Sequence, residues 1–134
     1  MKPRSIRARR FHYQWGPVLF WMGVIFLLSS YSFHDNWFQR SQKMHADWGA
    51  HIVEYSFLGF LLARALWRHS LFWRNSGKVM AAVLLICIAY AASDEFHQRF
   101  VPGRDSSVYD AIADAIGAAI GACIWIRKQK KTDA

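Results

Sequence analysis

The sequence predicts an all-α fold, a four-helix transmembrane bundle with both termini cytoplasmic. Three observations carry that expectation. Four apolar segments alternate with polar connections along the 134 residues. Basic residues crowd every second connection, as they do in multi-span membrane proteins. The acidic residues inside the segments recur at helical spacing and fall at one level.

Residues 1–14 carry Lys2, Arg4, Arg7, Arg9 and Arg10 and no acid, so they read as a basic cytoplasmic arm flanking the first span. The first span, 15–33, has no charge and is long enough to cross a hydrocarbon core of about 30 Å. A basic stretch before an apolar one also suits a signal peptide, but Ser30-Tyr31-Ser32 is a poor cleavage site and further apolar spans follow, so an uncleaved helix is expected. Pro17 is placed near the start of this helix, where proline is tolerated.

The second span, 47–67, begins at Asp47, a residue suited to an N-cap, and contains His51, Glu54 and Arg64, so hydropathy alone would hesitate over it. The third, 79–97, opens with fifteen uncharged residues and closes on Asp94, Glu95 and His97. Pro102-Gly103 signals a turn in the loop that follows. The fourth, 108–126, is alanine-rich and carries Gly117-x3-Gly121, a spacing that lets membrane helices approach closely. A basic tail, 127–134, is expected to fray.

Composition narrows the function. The chain is 54% hydrophobic, with seven Trp and ten Phe, yet mean hydropathy is only +0.04 because the polar residues are concentrated rather than few. The net charge of +8 sits at the termini and in the connection 68–78, which fits membrane topology and anionic lipid. A nucleic-acid partner is not expected, since that reading needs a soluble module with a basic face. Cys87 and Cys123 lie in apolar runs with no metal or redox spacing and read as small buried hydrophobes.

Basic counts put the termini and residues 68–78 inside, and the connections before the second and fourth spans outside. Six of the nine acids (Asp47, Glu54, Asp94, Glu95, Asp110 and Asp114) then share the outer third of the protein. Asp47, His51, Glu54, Tyr55 and Leu58 form one stripe of the second span. Asp110, Asp114, Gly117 and Gly121 form one stripe of the fourth, which places its acids on the packing face. The expectation is a polar pocket between the second, third and fourth spans, open to the outside.

A charge at the centre of a span costs roughly 2.5–3.5 kcal/mol even on insertion scales, so these residues need a reason. Three chemistries compete. Asp47, Asp94 and Asp110 could hold a divalent cation, since hard cations take several oxygens. His51, Glu54, Asp94 and Glu95 could form an acid/base site, because crowded carboxylates share protons. Arg104, with Arg99, could hold an anionic headgroup such as a lipid phosphate. A fully satisfied interhelical network would converge in the same way, with Asp47 and Asp110 as caps and Tyr55 as a packing residue.

These residues also resemble a known family. Asp47-x3-His51-x3-Tyr55, then Asp94-Glu95-x2-Gln98, then Arg104-x5-Asp110-x3-Asp114-x2-Gly117, in that order, are similar to the VanZ-like family of small integral membrane proteins, over residues 15–126. The family commonly carries Asn where Asp114 stands, so this chain adds an ionisable group there. The resemblance implies a multi-span protein of the inner (cytoplasmic) membrane. Its namesake is associated with low-level resistance to teicoplanin, a glycopeptide that acts on cell-wall precursors at the outer face. The outer context suits the polar pocket read from the residues, and the first functional reading is an outward-facing site for a lipid or cell-wall precursor, an undecaprenyl-type or other anionic lipid among them, with Gln98, Arg104, Tyr55 and Asp114 as substrate contacts. A non-enzymatic accessory, lipid- or ion-binding protein is the alternative. A transporter ranks third, since four spans would need an oligomer.

Overall fold

The computed structural model describes residues 4–30, 40–67, 69, 72, 74–101 and 108–132, with the side chains of 4–10, 40–47 and 108 outside the description. The fold is all-α. Four helices follow in order: α1 (Arg4–Ser30), α2 (Arg40–Leu66), α3 (Ser76–Gln98) and α4 (Val108–Thr132). Three of them, over Phe11–Ser30, Ser76–Gln98 and Tyr109–Thr132, are long and apolar enough to cross a membrane. The 23 residues of α3 extend roughly 35 Å at 1.5 Å per residue.

Each helix is longer than its expected span, for a reason visible in composition. Arg, Lys, Gln, Met and Ala are good helix formers, and they fill Arg4–Arg10, Arg40–Ala46 and Arg127–Lys131. The C-terminal stretch, expected to fray, instead continues α4 to Thr132, whose hydroxyl donates to the Lys128 carbonyl. Lys130 and Lys131 in the last turn face the negative end of the helix dipole. The chain is already helical at Asp47, seven residues past the start of α2, so Asp47 is not an N-cap. Asp110 likewise lies within the first turn of α4 rather than at its cap, where its charge complements the dipole. A true cap opens α3: Asn75 Oδ1 accepts from the Lys78 N–H at 2.9 Å.

Cross-helix contacts fix the directions. Arg64 meets Tyr13 and Trp21 meets Glu54, so α1 and α2 are antiparallel. Tyr90 bonds the Met22 carbonyl and Asp94 bonds Ser29, so α1 and α3 run parallel. On α2 and α4 the register is Ile52 to Gly117, Ser56 to Gly121 and Phe60 to Trp125, again parallel. The bundle is therefore up-down-up-down. The start of α1, the end of α2, the start of α3 and the end of α4 share one end, and it is the basic one.

The helix with the weakest hydropathy supplies the largest share of the core. α2 and α3 each pack against all three others, whereas α1 and α4 do not meet among the described residues. Tyr55, Leu58, Leu61, Leu62, Ala63, Ala65 and Leu66 of α2 are buried. α3 contributes Val79, Val83, Cys87 and Ala91, one residue per turn, and α4 contributes Ala113, Ala118 and Ala122. The opposite faces are apolar and exposed, as in the Ile112, Ile116, Ile120 and Ile124 stripe of α4. Cys87 is buried and Cys123 half-buried, both as free thiols.

The tightest interface is α2 with α4, and glycine makes it possible. A Cβ at Gly59 would sit 2.8 Å from the Ala118 Cα, and one at Gly117 or Gly121 would run into the carbonyl of Ile52 or Ser56. Backbone touches backbone, the geometry that small-x3-small spacing permits.

Pro17 departs from expectation. It lies well inside α1 rather than near its start. Proline has no N–H, so the carbonyl of Tyr13 four residues earlier loses its helical partner. Arg64 Nη2 of α2 donates to that carbonyl at 3.3 Å.

Replacing Gly121 by Val is expected to cost about 1–3 kcal/mol through overpacking, read as a lower thermal midpoint in detergent. Gly23→Ala, whose Cβ would meet nothing within 4 Å, should leave the midpoint unchanged. Equal midpoints for the two variants would rule out the close α2–α4 contact.

Candidate functional site

Five polar side chains are buried among the described residues, and all lie toward the end of the bundle opposite the basic one: Ser29, His51, Asp94, Gln98 and Asp114. They come from all four helices. Each is brought there by a local feature of sequence.

His51 and Asp114 face each other across the α2–α4 contact. Ile52, next to His51, has its carbonyl against Gly117, three residues after Asp114. That approach lets the shorter side chain reach the ring: His51 Nδ1 lies 2.9 Å from Asp114 Oδ1. In the neutral ring, an Nδ1–H donating to Asp114 fixes the tautomer and leaves the basic lone pair on Nε2. Glu54 and Asp110 are also close enough to act on the His51 charge.

Asp94 sits on α3, with Gln98 one turn further on. Gln98 Nε2 donates to Asp94 Oδ2 at 2.8 Å, and Ser29 Oγ of α1 donates to Asp94 Oδ1 at 2.6 Å. Ser29 also lies 2.9 Å from the Phe26 carbonyl. Its single hydrogen suits the shorter, charge-assisted bond to the carboxylate. A turn of contact beside it joins Ser30 Oγ to His97 Nε2 at 3.0 Å, with the His97 ring over Phe26.

Tyr55 follows His51 by one turn of α2, with its ring centroid 6.3 Å from that of Tyr90 on α3. It is 1% exposed, and its hydroxyl has no hydrogen-bond partner among the described residues. Asp114 and Asp94 are both near enough to act on it electrostatically, and Asp94 acts on Asp114 in turn. The buried cluster thus carries two carboxylates and one imidazole.

The structure accordingly brings together His51, Tyr55, Asp94, Gln98 and Asp114 of the expected site. Glu54, Glu95 and Asp110 are half-buried at its margin. Glu95 follows Asp94 directly, so it projects about 100° round the helix from it. Arg99 is exposed at the C-cap of α3. Arg104 and the side chain of Asp47 lie outside the described residues. No group of three or more His, Cys, Asp and Glu is placed to hold a metal ion among the described residues.

Sequence reasoning missed Ser29. Its signal was faint: a Ser-Ser pair ending an otherwise apolar run, read as part of a charge-free span rather than as a donor. Ser29→Ala is expected to cost about 1–3 kcal/mol by leaving a buried carboxylate oxygen without its donor. Tyr55→Phe removes only an unpartnered hydroxyl and should be neutral or stabilising. Thermal midpoints of the two purified variants check this, and a larger loss for Tyr55→Phe would contradict the geometry.

A search of curated proteins and of solved structures found no match. The family model described as VanZ/LLP1 matches residues 15–129, most of the chain and all of the polar cluster. An all-α chain with helices fit to cross a membrane, carrying this ordered set of polar residues, belongs to the VanZ/LLP1 family.

Proposed function

We propose that this protein lies in the cytoplasmic membrane with both termini inside and the polar cluster near the outer face. There it binds or acts on a lipid or cell-wall precursor, in envelope homeostasis or in tolerance to glycopeptides such as teicoplanin. The observation that carries the reading is the buried His51–Asp114 pair at 2.9 Å, set beside the Asp94–Gln98 pair at the end of the bundle away from the basic flanks. Basic flanks stay in the cytoplasm, which directs the opposite end outward.

A His–Asp pair in a dry site is suited to moving a proton. In this reading His51 Nε2 takes a proton from a hydroxyl or water of the bound molecule, and Asp114 stabilises the imidazolium. Asp94 and Gln98 orient the ligand. Glu54 and Glu95 supply further acid/base capacity at the margin, and Arg104 receives a phosphate. A divalent cation between Asp47, Asp94 and Asp110 is a compatible addition.

A second reading has its own support: each Asp94 oxygen already has a protein donor. On that reading the protein is a non-enzymatic accessory or lipid- or ion-binding protein, and the cluster holds the four helices together.

His51→Ala and Asp94→Asn separate the two. The proton-transfer reading expects both variants to reach wild-type abundance in the membrane and to fail to complement a deletion strain under glycopeptide or envelope stress. Normal complementation would end that reading, and loss of abundance or of thermal midpoint in step with function would favour the structural one. For topology, alkaline phosphatase is expected to be active when inserted between α3 and α4 and inactive when fused after Ala134.

A further inference from the structure

The basic end of the bundle holds a feature that membrane insertion alone does not require. Arg64 sits in the last turn of α2, half-buried against α1. Its guanidinium lies 4.7 Å from the centre of the Tyr13 ring, and one N–H reaches the Tyr13 carbonyl that Pro17 leaves without a helical donor. No carboxylate pairs with it among the described residues. The preceding acid on its own helix is Glu54, ten residues back and roughly 15 Å along the axis. Its surroundings at this end are cationic: Arg74, Lys78, Arg127 and Lys128 are all exposed there.

A guanidinium has five N–H donors in a planar fork, of which the Tyr13 carbonyl takes one. The candidate spans begin at Phe11 in α1 and at Ser76 in α3, so Arg64, level with Tyr13, lies close to the end of the membrane-crossing region. In a bilayer, lipid phosphates and interfacial water are among the acceptors at that depth. The ring of Tyr13 holds the fork by cation–π contact, which limits the side-chain freedom that binding a phosphate would otherwise cost.

We propose that Arg64, positioned by Tyr13 and the proline-freed carbonyl, is a recognition site for the phosphate of an anionic membrane phospholipid. The site is separate from the buried polar cluster and does not depend on how that cluster works. The surrounding lysines and arginines concentrate anionic lipid at this end, and Arg64 supplies the oriented donors that a point charge lacks.

Native mass spectrometry of the full-length protein tests it, with added phosphatidylglycerol or phosphatidylcholine as probes. Wild type is expected to retain phosphatidylglycerol over phosphatidylcholine. Arg64→Gln should weaken that retention about fivefold, the equivalent of the ~1 kcal/mol typical of one basic residue at a lipid surface. Arg64→Lys, which keeps charge and insertion but loses the fork, should fall between them, and Lys130→Gln with Lys131→Gln should change retention less than Arg64→Gln. Inorganic phosphate should not compete, which marks the ligand as lipid. Unchanged retention in both Arg64 variants, equal retention of the two lipids, or displacement by inorganic phosphate would each overturn the proposal.

Discussion

The close parallel contact between α2 and α4 is the constraint on which the rest of the molecule depends. Gly59, Gly117 and Gly121 remove the side chains that would hold the two backbones apart, and the carbonyls of Ile52 and Ser56 occupy the vacated space. Hydrophobic burial gives little net attraction between helices in lipid, so association rests on such contact and on hydrogen bonds made within the bundle. Once α2 and α4 are in register, Asp114 meets His51. Asp94 then needs donors of its own, and Gln98 and Ser29 supply them from α3 and α1. A carboxylate left without such partners in a dry site would carry a desolvation cost that removing it altogether would avoid.

This arrangement also explains how the least apolar helix is accommodated. α2 carries His51, Glu54 and Arg64, and a lipid-facing position would expose them to hydrocarbon. Packed against the other three helices, α2 turns His51 to α4 and Arg64 to α1. The apolar faces left over on α1, α3 and α4 point outward. Charge is thereby sorted along the bundle: acid gathers at one end, base at the other. Pro17 and Arg64 are coupled within this plan, since the carbonyl that proline frees in α1 is taken up by the arginine of α2.

Much of this was legible in the residues. The stripes His51-Tyr55-Leu58 and Asp110-Asp114-Gly117 follow from helical period, and the glycines on the second put Asp114 on the packing face of the fourth segment. The ordered combination of motifs marked the family. Helix ends were harder, because hydropathy reports where apolar residues stop, while Arg, Lys, Gln and Ala carry the helix on past them, as in Arg40–Ala46 and Arg127–Lys131. The N-cap reading of Asp47 failed for that reason. Ser29 was missed because a single hydroxyl leaves almost no trace in composition, and the Tyr13–Pro17–Arg64 arrangement because its arginine is 51 positions from Tyr13 in sequence.

The account stands or falls on the contact between His51 and Asp114. Solid-state NMR of the protein in lipid bilayers, with 15N-labelled histidine and 13C-labelled aspartate, measures it directly through the dipolar coupling between His51 Nδ1 and the Asp114 side-chain carbonyl carbon. A strong coupling that disappears in Asp114→Asn protein lacking the aspartate label at that position, with Nδ1 as the protonated nitrogen of the ring, is the predicted result. A His51 ring with no coupling to Asp114, in protein that is folded and inserted, would contradict the shared polar cluster and the functional reading built on it.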